Sequence, residues 1–420
     1  MSDCGDMATS TGSSPRHRVA TDPVARRARA AVAVLFVVNG LTFANIVPWL
    51  PSIKAELALS NTAFGLGWAA GPLGGLALGI AAGPLVARFG SGRTASRGAL
   101  IGVLALPAIA VAPSWLAFAS ALFLLGAADA VTDAAMNAHG LRVQRRYGRS
   151  IITSFHALWS TGAVTGGLIG AAAVASGVPR FAHLTITAML LAAAVLVTAR
   201  WQLRGPEHAE QSDDTPDAGA GTASDAPRDG IRQAVRTAPW LLLGFAVLPM
   251  MGGAVEDSAA LWSAVYLRDV LDATAFVAGL GFVATQTTMV IGRITGDRLV
   301  DRFGAARVAR SGSLLAAVGM LAVATGGSPV LVIAGFGLAG LGVATLFPLG
   351  FAAAGEIPGV RSADGVAVVS WLGRLSFLLM PPLIGFVADA ASLRWGLALV
   401  AVCALIAAAA SGLLSNDTRA

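Results

Sequence analysis

The chain has 420 residues, 55% of them hydrophobic and only 12% charged, with a mean hydropathy of +0.72. That composition leaves too little polar surface to solvate a globule of this size, so a soluble fold is excluded and a bilayer is the implied solvent. The net charge of +6 does not point to nucleic acid, because the basic residues fall in short segments between apolar runs. With Cys4 in a polar tail and Cys403 in the last apolar run, a disulfide framework or a metal cluster is excluded as well.

In chain order, residues 1–29 read as a polar cytoplasmic tail. The apolar stretch from about Ala30 is too long, and its leader too long, for a cleaved signal, so it reads as the first permanent span. Runs long enough to cross about 30 Å of hydrocarbon lie at 30–51, 63–86, 97–113, 115–138, 152–177 and 182–200. A second six lie at 239–266, 274–296, 309–326, 329–353, 364–388 and 394–414. The expected organisation is all-α. It comprises a six-helix bundle over 30–200, a flexible cytoplasmic linker over 201–237, a second six-helix bundle over 238–414 and a short tail over 415–420.

With the N-terminus inside, twenty-three arginines fall in inside segments, Arg142, Arg145 and Arg146 among them, against Lys54, Arg180, Arg268 and Arg394 outside. This bias places both termini in the cytoplasm. Glycines form two stripes at four-residue spacing, Gly71–Gly75–Gly79–Gly83 on the second helix and Gly162–Gly166–Gly170 on the fifth. Each stripe lets another helix approach closely, as a fixed contact or as a surface that slides during transport.

The segment Leu85-Val86-Ala87-Arg88-Phe89-Gly90 returns 214 residues later as Leu299-Val300-Asp301-Arg302-Phe303-Gly304. A repeat at half the chain length fits two similar bundles, the design common among secondary transporters. With twelve spans and this doubled loop, the chain resembles the major facilitator superfamily, whose signature there is G-x-L-A-D-R-x-G-R-[KR]. Copy one has Ala87 at the acidic position, and copy two has Asp297 where the first glycine would stand. The resemblance implies a charge network that latches helix ends, formed by Arg88, Arg93, Asp297, Arg298, Asp301 and Arg302. The missing acid in copy one leaves more of that work to the four residues of copy two.

The stretches Asp133–Ala138, His156–Ser160 and Trp262–Asp269 are similar to the MosC-like branch of bacterial inner-membrane proteins, a resemblance that implies no defined substrate. On helix five, Gly162, Gly166 and Gly170 match the glycine spacing of the G-x-x-x-G-P-x-x-G-G signature of proton-driven exporters, without its proline.

An ionisable side chain within a span costs about 2.5–3.5 kcal/mol on insertion scales, so it survives where it faces a cavity or a partner. Asp129, Asp133 and Asn137 share one face of helix four, with Asp129 about 21 Å and Asp133 about 27 Å from its outer end. Either carboxylate is a proton or substrate carrier, or a hydrogen-bonded pin. His156, at a similar depth to Asp133, pairs with it as a relay or as a static hydrogen bond. His139 reads as interfacial. Glu256 and Asp257 point about 100° apart on helix seven, so one lines the pathway while the other bonds a neighbouring helix. Arg374 balances this charge or binds an anionic group. Asn39, Thr42, Asn45, Trp159, Gln286 and Trp371 are the expected walls.

No nucleotide-binding or hydrolase motif occurs in a usable context, so neither an enzyme nor a cofactor is expected. The sequence is read as a monomeric secondary carrier of the cytoplasmic membrane, handling a small solute and protons, with export favoured. Symport of a sugar-like or organic solute, and a non-transporting sensor or scaffold, stay open.

Overall fold

A computed structural model describes residues 22–205 and 227–418, which are helical with no strand among them. The first group contains α1 (Pro23–Ala44), α2 (Leu50–Glu56), α3 (Asn61–Gly79), α4 (Ala82–Phe89), α5 (Ser91–Ala110), α6 (Trp115–Tyr147), α7 (Ile152–Ala175) and α8 (Arg180–Ala199). After α9 (Pro227–Thr237) come α10 (Pro239–Asp269), α11 (Ala275–Phe303), α12 (Ala305–Thr325), α13 (Pro329–Val343), α14 (Leu346–Gly355), α15 (Ser362–Ala390) and α16 (Leu393–Ala410).

Among the described residues ten segments are long and apolar enough to cross a bilayer, and α3–α4, bent by 53°, makes an eleventh. The other long helix, α5, carries Arg93 and Arg97 in its first two turns and packs between α6 and α8. Capping fixes many of the boundaries. Ser60, Ser114 and Ser328 accept from Ala63 N, Ala117 N and Leu331 N, satisfying orphan donors of α3, α6 and α13. Pro239 and Pro329 open α10 and α13, where a missing N–H costs nothing.

The duplicated motif has the same backbone in both copies. Gly90 adopts φ 85°, ψ 149° and Gly304 φ 83°, ψ 151°, a conformation open to glycine at no steric cost. Arg88 lies over Phe89 and Arg302 over Phe303 in the same manner.

The chain reverses between successive membrane-length segments. The end at which α1 begins (the near end) therefore also carries the α4–α5, α6–α7 and α11–α12 connections. The opposite (far) end carries α2–α3, α5–α6, α7–α8, α10–α11, α12–α13 and α15–α16. Far-end bonds agree: Arg180 reaches Glu56 and Ala110 O, and Arg394 reaches Ala324 O and Gly326 O. The two groups of helices meet chiefly along α3 against α15 and α7 against α11.

Several expectations need correction. Helix α1 begins at Pro23, so Arg26, Arg27 and Arg29 ride on the helix, and of the expected tail 1–29 only residues 1–21 lie outside the described residues. Within the linker, 206–226 lie outside the described residues, but 227–237 form α9 instead of flexible chain. Ala234 is buried with Leu242, Phe245 and Ile357, so this short segment finds an apolar partner that its polar composition conceals. Helix α6 runs on to Tyr147 and stops at the left-handed Gly148. Arg142, expected in a loop, is thus a buried helical residue whose guanidinium donates to the carbonyls of Arg204 and Gly205. His139 is fully buried within the protein, between the Ser91 hydroxyl and the Leu203 amide.

Candidate functional site

A cavity of about 420 Å³ lies between the two groups of helices. Its walls come from α1 (Asn39, Thr42, Phe43), α3 (Trp68, Pro72), α6 (Asp129, Asp133), α7 (Trp159), α10 (Glu256, Asp257), α11 (Gln286) and α15 (Arg374, Phe377). Five ionisable side chains from three helices converge there, far from either end of their helices. Asp129 is the fifteenth of 33 residues of α6, and Arg374 the thirteenth of 29 in α15.

The acids are held in different ways. Asp129 presents its carboxylate to the cavity and accepts a 2.7 Å bond from Asn39 Nδ2. Asn39 Oδ1 in turn accepts from Trp159 Nε1 at 2.7 Å. This chain ties α6, α1 and α7 together and fixes the amide orientation, since only its NH2 group can face a carboxylate. Asp133 accepts from Asn137 Nδ2 one turn along the same helix, at 3.0 Å. Asp257 is buried and accepts from Trp68 Nε1 at 2.9 Å. That bond joins α10 to α3, across the boundary between the two groups. Glu256, less buried, lines the same cavity.

Arg374 projects from α15 into the cavity, within Coulombic reach of Asp129 and Asp133 but without an ion pair to either. A guanidinium offers five donors in a fixed fork, so this one balances the α6 acids while keeping donors free for a guest. Gln286 is buried with its Oε1 unmatched by any protein donor. A guest here meets carboxylates, one cation and the apolar faces of Phe43, Trp68, Trp159 and Phe377, a combination that orients a small polar solute by a few bonds.

The far end is sealed. Asp389 of α15 caps the N-terminus of α3, accepting from the amides of Asn61 and Thr62 and from both their side chains at 2.7–2.9 Å. Lys54 pairs with Asp269 at 3.3 Å. Below them, Phe64 stacks with Phe118 and meets Trp262 edge-on, and Phe43 contacts Trp68 and Phe282. Gly65 lies so close to Pro381 that any side chain would strike its carbonyl.

The expected residues fare unequally. Asp129, Asp133, Glu256, Asp257, Arg374, Asn39, Thr42, Trp159 and Gln286 all line the cavity. Asn45 is buried and donates to Leu41 O, away from it. Trp371 is 56% exposed and does not line the cavity. His156 makes no hydrogen bond to Asp133. It sits edge-on to Phe36, within electrostatic reach of Asp133, so the static pin is not present. The six latch residues, Arg88, Arg93, Asp297, Arg298, Asp301 and Arg302, are exposed and form no ion pair among the described residues.

Trp68, Phe43 and Asp389 were missed. Trp68 stands inside a glycine-rich run where an indole reads as packing, and the cap by Asp389 joins residues more than 300 apart.

The sequence matches the Major Facilitator Superfamily over residues 32–294 and 254–420. It is 30% identical over 422 residues to the membrane protein MosC of Rhizobium meliloti, covering 96% of this chain and 97% of MosC. It is also 30% identical to the transporter y4wD of Sinorhizobium fredii, covering 86% and 92%. Among solved structures, a bacterial homologue of the lysosomal transporter Spinster superposes with a TM-score of 0.75 at 15% identity, covering 94% and 98%. The nucleoside transporter NupG superposes with a TM-score of 0.73 at 13% identity, covering 94% and 100%. A multi-pass helical chain with a central polar cavity and these relatives belongs to the Major Facilitator Superfamily of membrane transporters, and within it resembles MosC.

Proposed function

We propose that this chain is a proton-coupled secondary carrier of the cytoplasmic membrane that exports a small solute by alternating access. In this reading α3–α4 and α5 complete a set of twelve spans in two bundles, over 30–200 and 238–414, and both termini face the cytoplasm. The carrier works as a monomer, since one chain supplies every wall of the cavity. The observation that carries the reading is the convergence of Asp129, Asp133, Glu256, Asp257 and Arg374 in one chamber between the bundles. A bundle that only holds shape has no reason to bear five such insertion costs. With the far end sealed, the chamber communicates with the near, cytoplasmic side.

Asp129 is the proton carrier. It has a free carboxylate oxygen in the chamber, a neutral partner in Asn39 and a cation within reach in Arg374. Protonation removes the charge that Arg374 answers, which frees the guanidinium for the solute and couples the two events. The glycine spacing on α7 supports export. Symport of a sugar-like solute is the second reading, favoured by Trp68 and Trp159 beside hydrogen-bonding groups; the fold relative FucP is a fucose:proton symporter.

The test is proton flux in proteoliposomes across a panel of solutes, comparing the native chain with Asp129→Asn. Solute-dependent proton movement that vanishes in the variant, with solute binding retained, is expected. Unchanged coupled flux in the variant removes Asp129 from the mechanism. Absence of solute-dependent flux across the whole panel favours the sensor.

A further inference from the structure

We infer that the loop joining α4 to α5 is a binding site for an anionic phospholipid, with its phosphodiester held among Arg88, Arg93 and Arg97. Two of these guanidiniums flank one ring: Arg88 Cζ lies 5.2 Å and Arg97 Cζ 5.1 Å from the centre of Phe89. Stacking on the ring fixes both cations at low conformational cost and leaves their N–H edges free. Arg93 lies between them in sequence, in the first turn of α5. That turn begins at Gly90 with no side-chain cap and no acidic residue, so its helix dipole adds to the positive potential there.

Among the described residues no carboxylate pairs with these three charges. Elsewhere at the near end Arg146 pairs with Asp22 and Arg361 with Asp364, whereas Arg88, Arg93 and Arg97 are exposed and form no ion pair among the described residues. The duplicated motif shows why. The second copy carries Asp297 and Asp301 among its arginines, while the first has Gly83 and Ala87 at those positions. Copy one lacks both acids and carries Arg97 where copy two has Ser311.

A second observation identifies the anion as a lipid. Arg97, Ile101 and Leu104 follow one face of α5 at i, i+4 and i+7. Ile101 is 46% exposed and Leu104 63%. This face runs from the arginines into the hydrocarbon, so a phosphate seated at the loop has its acyl chains led along Ile101 and Leu104. A zwitterionic lipid brings its own cation toward three guanidiniums, which disfavours it. Phosphatidylglycerol brings none.

The test uses the full-length protein in a neutral detergent, titrated with phosphatidylglycerol, phosphatidylcholine or inorganic phosphate. Bound lipid is read by native mass spectrometry and thermal stability in parallel. Phosphatidylglycerol is expected to bind at least about tenfold more tightly than phosphatidylcholine, with about fivefold lost per arginine neutralised. Ala87→Asp, which restores the missing acid, should cost about as much as one arginine. It carries the test if the triple variant R88Q/R93Q/R97Q does not fold. Arg310→Gln, an equal loss of charge on an exposed helix face, should leave the preference intact. A preference for phosphatidylglycerol that survives both Ala87→Asp and Arg88→Gln overturns the assignment. So does inorganic phosphate that competes at the same concentration as the lipid, because the site would then take a soluble anion.

Discussion

The two ends of the molecule are built from opposite materials. At the far end a carboxylate caps a helix of the other bundle, an ion pair crosses the rim, and aromatic rings fill the space beneath. At the near end, the described polar bonds stay within a bundle, as in Arg146–Asp22, Arg29–Tyr147 and Arg361–Asp364. Among the described residues the side-chain hydrogen bonds that join the bundles (Lys54–Asp269, Asn61 and Thr62–Asp389, Trp68–Asp257) all belong to the far half. A carrier whose ends open in turn needs one set of cross-bundle bonds to be breakable as a unit. Short polar contacts over a few small residues meet that need better than a continuous apolar seam, because each polar group finds water when the contact parts.

The comparison is broken most severely at Gly65. A Cβ there meets the backbone of Pro381 and Pro382, which cannot swing aside as a flexible side chain could. Gly65→Val is therefore expected to disfavour the closed far end by about 3 kcal/mol, roughly a hundredfold in the two-state ratio. Labelling of cysteines placed in the chamber from the far side should rise accordingly. Labelling unchanged from the parent would mean that α3 and α15 do not form the gate.

A smaller effect is expected at Asp389. Replacing it by alanine strips four hydrogen bonds from the start of α3. The carboxylate is exposed, so the shift toward an open far end should be about 1–2 kcal/mol, seen as faster far-side labelling of the same cysteines. Asp389→Asn, which keeps an acceptor but no charge, should fall between alanine and the parent.

Asp22 sharpens the contrast from the near end, because its bonds stay within one bundle. The Val24 amide, and after it the Arg146 guanidinium, hold this carboxyl below its ordinary value of 3.8. A depressed carboxylate contributes stability above its unfolded pKa and loses it as the pH falls through the folded value. Hydrogen exchange in the first turn of α1 should therefore quicken only in acid, below about pH 4. Asp22→Asn should abolish that acid-dependent step without changing far-end labelling. Far-end labelling that follows the titration would couple the two ends through α1.

The architecture was legible because it is written in local patterns. Apolar runs gave the membrane-length helices, and Gly90 and Gly304 carry the repeat down to their backbone angles. The Asp129–Asp133 face followed from helical spacing alone. The glycine stripes were visible too, but they serve packing inside the first bundle: Gly75 meets Gly126, and Gly162 and Gly170 meet the backbone of the first span. The glycines that face the other bundle, Gly65, Gly167, Gly279 and Gly385, belong to no such stripe. Likewise Trp68 and Asp257 meet across 189 residues, and nothing local to either announces the other. Charge counting placed Arg142 in a loop because it has no way to see a helix continuing past the apolar run.

The central claim, that the two ends exchange closure around one chamber, is tested most directly by paired distances. Spin labels at Ala55 and Thr274 report the far end, and labels at Ser150 and Glu356 the near end, with Cys4 and Cys403 replaced. In the resting protein the far pair should be short and the near pair long. In Gly65→Val the far distance should lengthen while the near distance shortens. A far pair that lengthens with the near pair unmoved, or both pairs widening together, would contradict it.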